Sequence, residues 1–360
     1  MIYCTPLASI VPRNLFLNFE FYYHSCNIKD FGADFSGNGR ARDSHRGGSR
    51  QMAVEKTSLG KIATVEDLFI QVDGARIHYK KAGSGPPLVL IHGLVGSAKN
   101  WHRNIGELAY DATVYAIDLL NMGESDRVPG LDASLKATAD IIARWMEVVG
   151  IERAHVAAVS HGGALAMMLA VRHPQRVGKL ILFAPANPFC TLGHQLIRFY
   201  TSRPGSFIAR VAPFLPRFIS MIALGRMYGD PRRATLESLQ GYTAGLVHPG
   251  TVEHILAIVR RWHKDMAYLR SVLPQLASRS MLLVWGDRDR AVGLDSARQL
   301  ERILPHSHLV VVRGAGHLAF EEMPEICNHA MREWLAYGEQ PAQSVTIRYS
   351  NEPLRQLKMI

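Results

Sequence analysis

An α/β fold is predicted, a mostly parallel sheet flanked by helices and interrupted by one helical insertion, and three observations carry it. Strand-like and helix-like segments alternate through the middle of the chain, the pattern of a sheet covered by helices. Several of the strands are unbroken apolar, β-branched runs such as "LVLIHG" and "VGKLILFAPA", the kind that parallel sheets bury on both faces. The third is bulk: 360 residues, 48% hydrophobic and 20% charged, suit one large globular domain with an insertion.

In chain order, "LFIQVDGARIHYKKAG" reads as a hairpin turning at Asp73-Gly74, and the buried strand "LVLIHG" follows. A helix is expected around "SAKNWHRNIGELA", then strand "TVYAIDL" and a long helix "LKATADIIARWMEVVG". Strand "AHVAAVS" runs into an alanine- and methionine-rich helix, and "VGKLILFAPA" is the next buried strand. After a long interruption come "SMLLVWG" and "HLVVVRG", each followed by a helix, the last being "MPEICNHAMREWLAY". No internal repeat of fixed period is present. Residues 1–51 show neither apolar period and are read as disordered, or as a spurious extension with Met52 the initiator. Their start lacks the basic and apolar regions of a secretion signal. Residues 338–360 read as a C-terminal tail.

The stretch "AHVAAVSHGGALAMMLAVRHP" places Ser160 where a buried strand turns into a helix. Small residues on both sides let the backbone pass close to its neighbours while the central side chain is held outward. There the N–H of His161, at the positive end of the helix, would face a negative charge forming beside the serine. A serine in this position is equally a helix N-cap, so the turn alone does not decide its use.

Its company does. From about residue 65 to 337 the chain resembles the α/β-hydrolase family in the order of its motifs. "LIHGLVGS" resembles the family's oxyanion loop, with Leu94 contributing an N–H beside that of His161. "DLLNMGESD" is similar to the Asp-x-x-Gly-x-Gly-x-Ser turn, with Asn121 at the first glycine position, a residue that tolerates positive φ. "WGDRD" resembles the loop bearing the acid, and "GAGHLAFEEMPE" the histidine loop. The elbow departs from Gly-x-Ser-x-Gly in having Ala158 first, and it is expected to form nonetheless. The resemblance implies an eight-stranded α/β-hydrolase sheet with core segments 65–186 and 265–337, and a helical cap over residues 187–264.

It also implies a nucleophile, acid and base in the chain order Ser160, Asp289, His317. The family's Trp-Gly-x-x-Asp spacing selects Asp289 over Asp287, which is left as a loop-capping residue. His92 is expected to brace the oxyanion loop without titrating in the reaction, His161 to shape the pocket wall, and Asp118 to tie down its turn. Glu322 with Pro324 reads as the start of the final helix.

Other classes lack their signatures. No metal-ligand spacing, phosphate-cradling loop or dinucleotide fingerprint occurs, so no cofactor and no metal are expected. Cys4, Cys26, Cys190 and Cys327 have no paired spacing, and a reducing, cytoplasmic compartment is the default reading. No run holds the roughly 18 apolar residues of a membrane span. The net charge of +10 raises nucleic acid as a partner, but no nucleic-acid motif accompanies it. Residues 187–264 hold ten Lys and Arg against three Asp and Glu, most of the excess. These cations are read chiefly as solvated. An anionic end on the substrate, or peripheral contact of the cap with an anionic membrane, are the other readings. The insertion itself should form several short helices whose apolar residues mostly bury it on the core, a few lining the cleft.

The expected function is therefore a serine hydrolase cleaving a carboxylic ester of a small apolar or aromatic substrate through an acyl-enzyme. The alternatives are a carbon–carbon bond hydrolase of ring-cleavage diketones and a ligand-binding member of the fold without catalysis.

Overall fold

The computed structural model describes residues 64–190 and 194–338. Residues 1–51, and all but Gly338 of the tail expected over 338–360, lie outside the described residues. Eight strands, β1 (Glu66–Val72), β2 (Ala75–Ala82), β3 (Pro87–Ile91), β4 (Thr113–Ile117), β5 (Ala154–Val159), β6 (Val177–Phe183), β7 (Met281–Gly286) and β8 (Ser307–Val312), form one sheet. Its order is β1-β2-β4-β3-β5-β6-β7-β8. The sheet is mixed, because β1 and β2 pair antiparallel and β2 pairs antiparallel with β4, whereas all later pairings are parallel. The β1–β2 hairpin turns where expected, with Asp73 at φ 48° and Gly74 at φ 84°. Two consecutive positive φ values are what a tight hairpin turn needs to match strand twist.

Helices cover both faces. α1 (Ile105–Leu108), α2 (Leu135–Val149) and α3 (His161–Arg172) interleave with the first strands. Between β6 and β7 come α4 (His194–Thr201), α5 (Arg203–Val211), α6 (Arg217–Gly225), α7 (Leu236–Thr243) and α8 (Thr251–Val272), then α9 (Leu294–Ile303), α10 (Ala319–Glu322) and α11 (Pro324–Tyr337). One core layer joins the sheet to α2, α3 and α9 through Ile142, Trp145, Leu165 and Leu300. The opposite layer joins it to α1, α10 and α11 through Leu108, Phe320 and Met331, with Trp101. The β5 run Ala154–Val159 is almost wholly buried because it lies centrally between β3 and β6.

Three expectations differ from what is found. "SAKNWHRNIGELA" is not one helix but a short turn at Ala98–Trp101 followed by α1. The side chain of Asn100 accepts from the Ser97 N–H at 2.7 Å, and that of Asn104 donates to Phe320 O at 2.9 Å and Asn328 Oδ1 at 2.7 Å. Tertiary hydrogen bonds thus outweigh the helical propensity of the run. The insertion's last helix, α8, continues unbroken past position 264 into the core. The expectation that the insertion's apolar residues mostly bury it on the core holds for Ile197, Tyr228, Leu239, Leu256 and Ile258 but fails locally: Phe207 of α5, Phe218 of α6 and Phe214 in the turn between them are exposed.

Candidate active site

Ser160 sits at φ 54°, ψ −122°, a conformation that few residues other than glycine adopt. Neighbours impose it. The Ser160 N–H donates to Phe183 O at 2.9 Å, and its carbonyl accepts from Ala186 at 2.8 Å and Gly163 at 2.9 Å. The turn is therefore pinned to β6 on one side and closed by α3 on the other. Strain of this kind costs about 1–3 kcal/mol and persists where the surroundings overdetermine it. Ala158 in place of the first glycine is accommodated, fully buried between Ile91 and Leu182. The position after His161 has no such tolerance. A Cβ on Gly162 would lie 2.3 Å from the carbonyl oxygen of His92.

That close approach brings the loop after β3 against the elbow, and Gly93 lies next to the Ser160 side chain. Among the described residues neither the Leu94 N–H nor the His161 N–H enters a backbone hydrogen bond. His92 holds the loop in place. Its Nε2 accepts from the Leu119 N–H at 3.1 Å, which leaves Nδ1 to donate to Gly93 O at 2.8 Å. Burial lowers its pKa, against the pull of Asp118 and the Gly93 carbonyl, so the neutral ring fits this bonding. Asp118 ties down the turn after β4: Oδ1 accepts from Ala98, and Oδ2 from Glu124 and from His78 Nδ1 at 2.7 Å. Burial pushes this carboxyl up, but the His78 bond, His92 and the two backbone donors outweigh it and leave it below the ordinary range. Asn121 takes φ 65° and is fixed by its side chain to Val128.

The structure brings Asp289 and His317 together. His317 Nδ1 donates to Asp289 Oδ2 at 2.8 Å, with both side chains almost fully buried. Asp289 Oδ1 accepts from the N–H groups of Ala291 at 2.7 Å and Val292 at 2.9 Å, so its carboxylate is locked in orientation. With Nδ1 engaged as donor, a neutral ring has Nε2 as its acceptor nitrogen. Asp287 lies apart on the surface, its Oδ1 accepting from the Gly314 N–H at 2.6 Å.

His161 packs its ring beneath α8, 6.3 Å from Trp262, and lines a narrow apolar pocket with His254, Leu119, Leu120, Met122 and Ile258. Its Nδ1 is buried without a partner. Burial first, then His92 and His254, drives its pKa down to about 3. Among the described residues, no group of three or more His, Cys, Asp and Glu side chains could hold a metal ion.

Glu322 has a position that reading along the chain misses. Its fully buried carboxylate accepts from Gly316 at 2.7 Å in the histidine loop and from Gly229 and Asp230, each at 2.9 Å, in the insertion. The His317 N–H in turn donates to Met227 O at 2.7 Å. Gly316 is pressed so tightly against this segment that a Cβ would lie 2.4 Å from Met227 O. The insertion and the histidine loop are thus fastened together, and the only signal in the sequence is the Glu-x-Pro ending itself.

Residues 86–324 match the family model for the α/β-hydrolase fold. The chain belongs to the α/β-hydrolase family. A 2-hydroxy-6-oxononadienedioate/2-hydroxy-6-oxononatrienedioate hydrolase from Comamonas testosteroni is 30% identical over 296 residues, covering 79% of this chain and 99% of that protein. A 2-hydroxy-6-oxo-6-phenylhexa-2,4-dienoate hydrolase from Burkholderia cepacia is 29% identical over 298 residues, with coverage of 79% and 99%. Among solved structures, a membrane phospholipase A described as a bacterial virulence factor aligns with TM-score 0.65 and 25% identity, over 76% of this chain and 86% of that one.

Proposed function

We propose that this α/β-hydrolase is a serine hydrolase that cleaves a carboxylic ester of a small apolar or aromatic substrate. The observation that carries the reading is the buried His317–Asp289 couple at 2.8 Å in a chain whose Ser160 is held at φ 54° on a strand-to-helix turn. Ser160 Oγ attacks the ester carbonyl carbon while His317 Nε2 takes its proton, and Asp289 stabilises the imidazolium that forms. The negative oxygen of the tetrahedral intermediate is held by the N–H groups of Leu94 and His161, the second reinforced by the N-terminus of α3. Collapse expels the alcohol, protonated by His317, and water activated by the same ring releases the acid. The insertion serves as the cap over this site, fastened to the histidine loop through Glu322.

A second reading has one specific support, the relatives from Comamonas testosteroni and Burkholderia cepacia named as hydrolases of 2-hydroxy-6-oxo dienoates. The same residues would then cleave a carbon–carbon bond. A fluorophosphonate probe together with a panel of aryl esters, lactones and 2-hydroxy-6-oxo dienoates, assayed with wild type beside Ser160→Ala, tests both. Ester turnover that vanishes in the variant supports the first reading, and turnover confined to the dienoates selects the second. A wild-type protein that neither labels nor turns over any member of the panel overturns both in favour of a ligand-binding role.

A further inference from the structure

We infer that the arm formed by α5 and α6 docks on the surface of an anionic lipid bilayer. Of the sixteen large apolar side chains exposed among the described residues, eight lie between positions 207 and 222. Phe207, Phe214 and Phe218 are exposed by 65%, 74% and 64%, and Ile208, Ile219 and Ile222 accompany them. Scattered single exposed apolar residues are ordinary, but a contiguous group marks a contact surface.

Charge says which surface. No Asp or Glu occurs between Glu152 and Asp230, and the arm and its flanks carry Arg198, Arg203, Arg210, Arg217 and Arg226. Arg203 and Arg217 are the first residues of α5 and α6, where a cation opposes the helix dipole and weakens the helix. Neither has an ion-pair partner among the described residues, whereas Arg210 faces Glu253 at 3.3 Å. Guanidinium groups placed against the preference of their own helices, beside exposed phenylalanines and without a carboxylate of either helix, complement lipid phosphate.

Geometry fits lying on the membrane. No single helix among the described residues is long and apolar enough to cross a bilayer, and the segments Arg203–Phe214 and Arg217–Gly225 are bent by 113°. Each is nine residues of helix or little more, short for a span but sufficient for an interfacial segment. Pro213 and Pro216 make the break, placing Phe214 at the corner with a phenylalanine on either side.

The test is co-sedimentation of the full chain with vesicles of phosphatidylcholine alone and of phosphatidylcholine containing about one third phosphatidylglycerol. Expected is binding to the anionic vesicles that weakens as salt rises, and little binding to the neutral ones. Phe214→Asp/Phe218→Asp should lower partitioning about a hundredfold, and Arg203→Gln/Arg217→Gln about twenty-fivefold, at roughly fivefold for each arginine. Both doubles alter exposed side chains, and an unchanged circular dichroism melt shows that they fold. Equal binding to both vesicle types, or binding that the doubles leave intact, overturns the proposal. So does a concentration-dependent dimer by light scattering that Phe214→Asp/Phe218→Asp dissociates without any lipid effect, since the face then belongs to a second copy.

Discussion

Replacing Asp289 by Asn tests the site at its most constrained point. Oδ1 of Asp289 is committed to the N–H groups of Ala291 and Val292, so in the variant the side-chain oxygen keeps that place and the amide nitrogen must face His317. Two donors then meet. His317 relieves the conflict by giving up the proton on Nδ1 and carrying it on Nε2, the atom that in the proposed mechanism accepts from Ser160. The tautomer is wrong for catalysis although every backbone contact survives. An equivalent exchange in a serine protease lowers kcat about ten-thousandfold, or about 5.5 kcal/mol of transition-state stabilisation, and the same order is expected here. Folding should lose only about 1 kcal/mol, because a single charged hydrogen bond is exchanged for a weaker neutral contact. Steady-state hydrolysis of an aryl ester, the rate of fluorophosphonate labelling and a thermal melt together measure this. Asp287→Asn is the control, since its surface carboxylate holds the Gly314 N–H and no other group among the described residues, and it should cost less than tenfold in rate. Turnover by Asp289→Asn within tenfold of wild type, or a larger loss in Asp287→Asn, would refute the assignment of the acid.

Ser160→Ala and His317→Ala should each lose at least about a thousandfold in turnover with folding retained, and Ser160→Ala should not take up the fluorophosphonate. Glu322→Gln puts an amide nitrogen against one of the backbone donors Gly229, Asp230 and Gly316, so it should destabilise by about 2 kcal/mol and lower kcat, whereas exposed Glu325→Gln should do neither; a melt and a kinetic comparison check this. Deleting residues 1–51 should leave melting temperature and activity unchanged, and a large drop in either contradicts the reading of that segment. His161, neutral in the fold with its pKa lowered from 6.5 to about 3, makes the unfolded chain bind the extra proton in acid. Stability is then full above pH 6.5 and falls toward pH 3 by up to about 1.4 kcal/mol per unit from this group. Denaturant unfolding of His161→Gln as a function of pH should show a shallower decline, and an identical slope would remove His161 as its source.

The parts that the chain announces in advance are those whose physics is local or doubly constrained. Strands β3, β5, β6 and β7 are legible because burial on both faces demands unbroken apolar runs. The Asp73-Gly74 turn and Asn121 are legible because each residue suits a positive φ. The couple of Asp289 and His317 follows from motif order, since each residue rides on the loop after a strand, and β7 and β8 are neighbours in the sheet. Glu322 is of another kind. Two of its partners, Gly229 and Asp230, are more than ninety positions away and belong to the insertion, so no spacing rule connects them. The same holds for α5 and α6. Helical periodicity specifies that Phe207 and Phe218 lie along apolar faces, but what a face meets depends on how the insertion is anchored. Here the anchors are at its far end, where Met227, Gly229 and Asp230 bind the histidine loop and α8 runs down into the core layer. An arm held from that end can leave its apolar surface outward while the histidine loop stays assembled, which is why exposure of the phenylalanines and burial of His317 are compatible in one fold.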